Sequence, residues 1–251
     1  MPSALFRFYA ELNDFLPVIQ RQTEFTVSFQ VNTTVKHLIE SLGVPHTEID
    51  LILVNGESVD FTYRVQDGDR VSVYPVFESL NIKPLTRLWK HPLRQPRFIA
   101  DTHLGRLAAY LRMAGFDTLY RNDYSDSELA LLSQSESRIV LTRDRGLLKR
   151  NQVTHGFFVR HDEPFLQLVS VIERFDLHNE LKPFTRCLRC NNLLDTVAKE
   201  NILDRLPANT AQTFVEFKIC YSCDKVYWKG SHYKRMSALM KQLQSYPKNT
   251  D

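Results

Sequence analysis

No stretch of the chain approaches the roughly 18 consecutive apolar residues that a bilayer-spanning helix needs, so no membrane partner is expected. The opening run "MPSALFRFYAELNDFLP" carries charge and alternation where a secretory leader would carry an apolar centre. That pattern predicts a cytoplasmic protein. There is no internal repeat and no low-complexity tract. A Gly-rich phosphate loop is missing, which disfavours nucleoside-triphosphate chemistry, and so is a G-x-S-x-G nucleophile elbow. The net charge is only +3, so charge alone does not declare a nucleic-acid binder. Cysteine is scarce too. In a reducing compartment four cysteines point to metal ligands or catalytic groups before structural disulfides. What is present, 251 residues with 43% hydrophobic and 24% charged, suits one to three globular domains.

One composition shift divides the chain. "NIKPLTRLWKHPLRQPR" holds Pro84, Pro92 and Pro96 with Lys83, Arg87, Lys90, Arg94 and Arg97, and no acid. It reads as a linker, either simply solvated or a phosphate-contacting strap. Before it, "ALFRFYA" and "EFTVSFQV" alternate as half-buried strands do. "TTVKHLIESLG" places Val35, Leu38, Ile39 and Leu42 on one helical face and ends at Gly43. Asn55-Gly56 between two strand-like runs signals a hairpin turn. One helix across four or five strands is a β-grasp layout.

From residue 97 the rhythm becomes strand, helix, strand, which implies parallel β-α-β units in an α/β sheet. "RFIAD", "DTLYR", "RIVLT" and "GFFVR" are the expected strands. "LGRLAAYLRMAG", "SDSELALLSQSE", "RDRGLLKR" and "EPFLQLVSVIERF" are the expected helices. Leu104, Leu107, Ala108 and Leu111 should face inward. At the C-terminus "HYKRMSALMKQLQ" carries Met236, Leu239, Met240 and Leu243 as a packing stripe. The predicted organisation is a β-grasp domain at 1–80, a basic linker at 81–96, an α/β domain at 97–180, and a cysteine-bearing module with a terminal helix at 181–251.

Three aspartates occupy matching topological places. Asp101 ends the first strand of the α/β region, Asp144 follows the third, and Asp126 opens the second helix. Open α/β sheets gather ligands beyond the carboxyl ends of their strands. Each acid also has a plain structural reading: Asp144 as a helix cap, and Asp126 as a favourable charge beside the S-x-x-E box of Ser125 and Glu128. Clustered carboxylates repel unless a cation lies among them, and an all-oxygen site suits Mg²⁺ or Mn²⁺. Asp162, after the last strand, is a further candidate. Arg143, Arg145 and Lys149 flank Asp144 and fit an anionic substrate, or ordinary helix surface.

"CLRC" (Cys187, Cys190) and "CYSC" (Cys220, Cys223) use every cysteine in two C-x-x-C knuckles. Tetrahedral zinc takes four such ligands, two from each tight turn, so a structural Zn²⁺ is expected. The segment between the knuckles is long enough for a hairpin or a short helix. Behind them, Tyr227, Trp228, Lys229, Tyr233, Lys234 and Arg235 combine rings that stack on bases with cations that hold phosphates. Tyr227 and Trp228 could equally cover the metal site.

Taken together, "FIADTHLGRLAAYLRMAGFDT", "IVLTRDRGLLKR", the paired knuckles and "VYWKGSHYKRM" closely resemble the family named for the C-terminal RNase domain of the Mut-seven exonuclease, over about 97–240. The resemblance implies a PIN-like α/β nuclease fold with an appended zinc ribbon. It also implies RNA as substrate and catalytic metal-binding acids at Asp101, Asp126 and Asp144, with Asp162 as the candidate fourth. Residues 1–80 resemble the ubiquitin-like β-grasp domain that precedes this nuclease in some bacterial proteins, itself similar to sulfur carriers. Those carriers work through a free C-terminal Gly-Gly, whereas this segment runs on through "YPVFESLNIKPL". The departure argues against sulfur transfer and for a fused binding or positioning module, a candidate surface for a protein partner. The competing reading is a non-catalytic RNA-binding or scaffold protein.

Overall fold

Alternation of apolar and polar residues builds the N-terminal sheet as the sequence suggests. The computed structural model describes residues 1–75, 88 and 96–246. The basic linker expected at 81–96 therefore lies, apart from Leu88 and Pro96, outside the described residues. Strands β1 (Ser3–Phe8), β2 (Phe25–Ser28), β3 (Ile49–Val54), β4 (Glu57–Ser58) and β5 (Arg70–Pro75) form one sheet in the order β2-β1-β5-β3-β4. β1 runs antiparallel to β2 and parallel to β5, and β3 is antiparallel to both β5 and β4. Helix α1 (Val35–Ser41) sends Val35, Leu38 and Ile39 into a core with Phe6, Phe8, Ile52 and Val73. Thr34 caps its N-terminus through the His37 amide. The β3–β4 turn has positive φ at both Asn55 (51°) and Gly56 (90°), the type I′ geometry that matches strand twist. This is a β-grasp domain.

After the linker come β6 (Phe98–Ala100), α2 (Gly105–Ala114), β7 (Thr118–Leu119), α3 (Asp126–Glu136), β8 (Ile139–Thr142), α4 (Arg145–Leu148), β9 (Gly156–Phe158) and α5 (Pro164–Arg174). β6 pairs in parallel with β7, and β8 with β9. Leu104, Leu107, Ala108 and Leu111 are all buried, as their spacing predicts. The strands are shorter than the apolar runs suggest. "DTLYR" forms a strand only over Thr118–Leu119, of which Thr118 is buried.

The cysteine-bearing region is a three-stranded antiparallel sheet of β10 (Asp195–Val197), β11 (Phe217–Cys220) and β12 (Lys225–Trp228). A 3-10 segment and helix α6 (Ala208–Thr213) fill the stretch between the knuckles. Its core is small: Val197, Ile202, Phe217 and Ile219, with Trp228 and Phe214 packed against it. Helix α7 (Ser231–Gln244) follows, burying Met240 and Leu243 of its stripe and half-burying Met236 and Leu239. The whole is α+β.

The chain divides into two compact units: Met1–Gln95 with Asp123–Arg160, and Pro96–Asn122 with His161–Asp251. In the first, the 3-10 segment His46–Glu48 of the β-grasp domain meets β9, and Phe158 joins the domain's core. In the second, buried Arg112 of α2 donates to the carbonyls of Thr118, Leu188 and Arg189. Asn191 accepts from the Thr118 amide and donates to Asp117, so α2 and β7 hold the first knuckle. Gly115 ends α2 at φ 105°, and a Cβ there would lie 2.4 Å from the Lys182 carbonyl, which leaves no room for another residue.

Candidate metal centre and acid sites

Each knuckle is a tight turn fixed by its own backbone. The Asn191 amide donates to the Cys187 carbonyl at 2.9 Å, and Asn191 takes the left-handed conformation (φ 72°) that closes the turn. The second knuckle is the β11–β12 turn, closed by Asp224 at φ 59°. Both are asparagine or aspartate, the residues that tolerate this backbone best after glycine.

These turns bring Cys187, Cys190, Cys220 and Cys223 together, with all four sulfur atoms within 4.8 Å of one another. Cys187 and Cys223 lie 3.4 Å apart and Cys190 and Cys220 3.3 Å apart. A tetrahedral ion with sulfurs at about 2.3 Å needs edges of about 3.8 Å. The spacings bracket that value, so the four thiols fit a metal ion. Among the described residues this is the group of three or more potential ligands that comes together.

Burial raises the Cys190 thiol, but hydrogen bonds from the Asn192 backbone and side chain and contacts with Cys220 and Cys223 bring it down to about 6. Burial and the three neighbouring sulfurs push Cys223 up to about 12. Four crowded thiols cannot all ionise unless a cation offsets their charge. Tyr227 covers this centre. Its hydroxyl lies 3.1 Å from Cys187 Sγ and accepts the Leu188 amide at 3.2 Å. Burial, then the Cys187 contact, raises its pKa.

Trp228 and Tyr227 also line a cavity of about 760 Å³ beside the sheet, together with Phe184, Tyr233, Lys218 and Lys229. Lys229 pairs with Glu216 at 2.5 Å. Lys218 instead donates to the Phe184 carbonyl, which satisfies the donor without cancelling the charge. Tyr233 stands 4.6 Å from the Phe184 ring centroid. Lys234 and Arg235 are exposed on α7, Arg235 contacting His232.

The aspartates fall in different units: Asp126 and Asp144 in the first, Asp101 and Asp162 in the second. Asp101 follows β6, is 8% exposed, and accepts the Thr102 amide through Oδ1 at 2.5 Å. A Cβ at nearby Gly105 would lie 2.6 Å from the Tyr120 hydroxyl, which donates to the Thr102 carbonyl, so a larger residue there would displace the Tyr120 ring. Asp126 is the first residue of α3, behind the capping box of Ser125 and Glu128. Its carboxylate lies 3.5 Å from Arg150. Asp144 caps α4, accepting the Gly146 amide through Oδ1 at 2.6 Å, while its own amide donates to Thr142 Oγ1. Asp162 is exposed before α5.

The basic residues around Asp144 have distinct surroundings. Arg143 is exposed. Arg145 donates to the Phe15 carbonyl at 3.3 Å and lies over the Phe15 and Phe158 rings. Lys149 donates to the Glu40 carbonyl at 2.7 Å, and burial lowers its pKa. Sequence reading gave no sign of the Phe15 and Glu40 partners, which lie more than a hundred positions away.

Comparison with known proteins gives two family matches. The Mut7-C RNAse domain model matches residues 96–240, and the Mut7-C ubiquitin model matches residues 1–81. Two solved structures are similar to part of this chain. One is small archaeal modifier protein 1 of H. volcanii, at 17% identity over 30% of this chain and 98% of that one, TM-score 0.25. The other, from Pyrococcus furiosus, is described as molybdopterin converting factor subunit 1, at 20% identity over 30% and 98%, TM-score 0.24. No curated protein gives a match.

Proposed function

Because the chain belongs to the Mut7-C RNAse domain family, we propose that it is a metal-dependent ribonuclease hydrolysing RNA phosphodiester bonds. The family match across 96–240 carries this reading. We assign the catalytic role to Asp101, Asp126 and Asp144, with Asp162 as the fourth acid. The donor chemistry is that of a hard cation: carboxylates, two of them just after strands β6 and β8, with one Asp144 oxygen engaged by Gly146. Mg²⁺ or Mn²⁺ held there would acidify a water and offset phosphate charge. The chain's own contribution is to hold the carboxylates in place: Asp101 by the Thr102 amide, Asp144 by the Gly146 amide, and Asp126 at the head of a capped helix.

The four cysteines hold a structural zinc in this account. With all four positions taken by protein, that ion folds the ribbon and takes no part in the reaction. The ribbon, through Trp228, Lys229, Tyr233, Lys234 and Arg235, aids RNA binding, and Arg143 adds positive charge beside Asp144. We place the domains at 1–80, 97–180 and 181–251, and the protein in the cytoplasm. Incubating the purified chain with single-stranded RNA in Mg²⁺ or Mn²⁺, beside an Asp101→Asn variant, tests the reading. Cleavage by the wild type alone is expected.

The aromatic cavity beside the metal centre favours one second reading, a non-catalytic RNA-binding protein. Salt-sensitive RNA binding without cleavage in any divalent metal would select it.

A further inference from the structure

The β-grasp domain lacks the Gly-Gly end that carrier chemistry needs, so its fusion requires another account. Helix α4 provides one. It has four residues, too few to be stable alone, yet Asp144 is its cap. Something outside the helix must hold it. Both of its ends are tied to backbone carbonyls of the β-grasp domain. At the N-terminal end Arg145 donates to the Phe15 carbonyl, with its guanidinium 4.9 Å from the Phe15 ring centroid and 5.5 Å from that of Phe158. At the C-terminal end Lys149 donates to the carbonyl of Glu40. Phe15 and Phe158 meet edge to face at 5.3 Å, which fixes the surface on which Arg145 lies.

We propose that the β-grasp domain acts in cis as a positioning module, gripping α4 through Arg145 and Lys149 and so fixing the Asp144 carboxylate. Its catalytic consequence rests on the ribonuclease reading; the grip itself does not. Arg145 and Lys149 are positioning residues here. They look from sequence like phosphate contacts, but one N–H of each is directed to a carbonyl of the β-grasp domain. The Gly146 amide reports on the grip, because it donates to Asp144 Oδ1. When α4 loosens, that bond opens and the carboxylate turns.

The test uses the full chain carrying Arg145→Ala with Lys149→Ala, and separately Arg145→Lys. Hydrogen exchange at the Gly146 amide should rise at least about tenfold in the double variant, while amides of β5 keep their protection. Turnover of RNA should fall by about tenfold or more with KM changed less than about twofold, since positioning is lost in the transition state more than in binding. Arg145→Lys keeps the charge but not the planar stack, so it should fall between. Unchanged Gly146 exchange overturns the grip. Raised exchange with unchanged turnover overturns its catalytic role, and so does a raised KM with unchanged turnover, which would make these residues RNA contacts. If the wild type cleaves no RNA, the ribonuclease reading fails and the exchange result alone decides the grip.

Discussion

Glu48 Oε1 accepts the backbone N–H of Phe158 at 2.7 Å, joining residues 110 positions apart in sequence. Glu48 is 2% exposed, and its other oxygen takes Arg160 at 3.2 Å. Glu48→Ala removes both acceptors and leaves the half-buried Phe158 without a partner for its amide. The expected cost is about 2–3 kcal/mol of unfolding free energy, read from urea denaturation of the full chain. Asp14, which also contacts Arg160, is exposed at 57% of its side chain, and Asp14→Ala should cost well under about 1 kcal/mol.

The metal centre makes a separate prediction. Cys220→Ser replaces a buried sulfur with a poor zinc ligand. Purified wild type should carry one zinc per chain by elemental analysis and the variant much less. Because the ribbon's core is only a few side chains, loss of the ion should expose β10–β12 to proteolysis. A wild-type protein free of zinc, with an intact ribbon, would contradict the assignment.

RNA affinity should depend on Tyr233 more cleanly than on its aromatic neighbours. Tyr227 bonds to Cys187 and Trp228 packs on the ribbon core, so altering either disturbs the fold. Tyr233 stands on α7 at the cavity edge. Tyr233→Ala should weaken binding of single-stranded RNA by about 1–3 kcal/mol if a base stacks there, measured by fluorescence anisotropy at fixed salt, with zinc content unchanged.

Acid should destabilise the region of β9 through His155. Burial lowers its pKa below the ordinary value, so the folded state disfavours the charged form. A histidine depressed on folding is neutral in both states above its unfolded pKa, and costs nothing there. As pH falls through that unfolded value, near about 6.5, the unfolded state gains the proton first and stability drops until the folded pKa is passed. Melting temperature should therefore fall less between about pH 7.5 and 5.5 in His155→Gln than in wild type. Parallel curves would contradict this.

Much of the fold could be read from local patterns. Asn55-Gly56 gave the hairpin turn, Ser125 with Glu128 gave the capping box, and the two C-x-x-C knuckles gave the cysteine cluster, because each is decided by neighbours in sequence. The partners of Arg145, Lys149 and Glu48 were not legible. Each is fixed by packing between segments more than a hundred residues apart, and nothing in the run "RDRGLLKR" distinguishes a guanidinium lying on aromatic rings from one awaiting a phosphate. Asp144 illustrates both limits, since a helix cap and a metal ligand need the same residue at the same place.

The central claim is that Asp144 serves hydrolysis as well as the cap. Asn keeps the side-chain oxygen that accepts the Gly146 amide, so Asp144→Asn should fold with a melting temperature close to wild type. The direct measurement is the initial rate of single-stranded RNA cleavage in Mn²⁺ by the wild type and by folded Asp144→Asn. The account predicts a fall of at least about a hundredfold. A rate equal to wild type would contradict it.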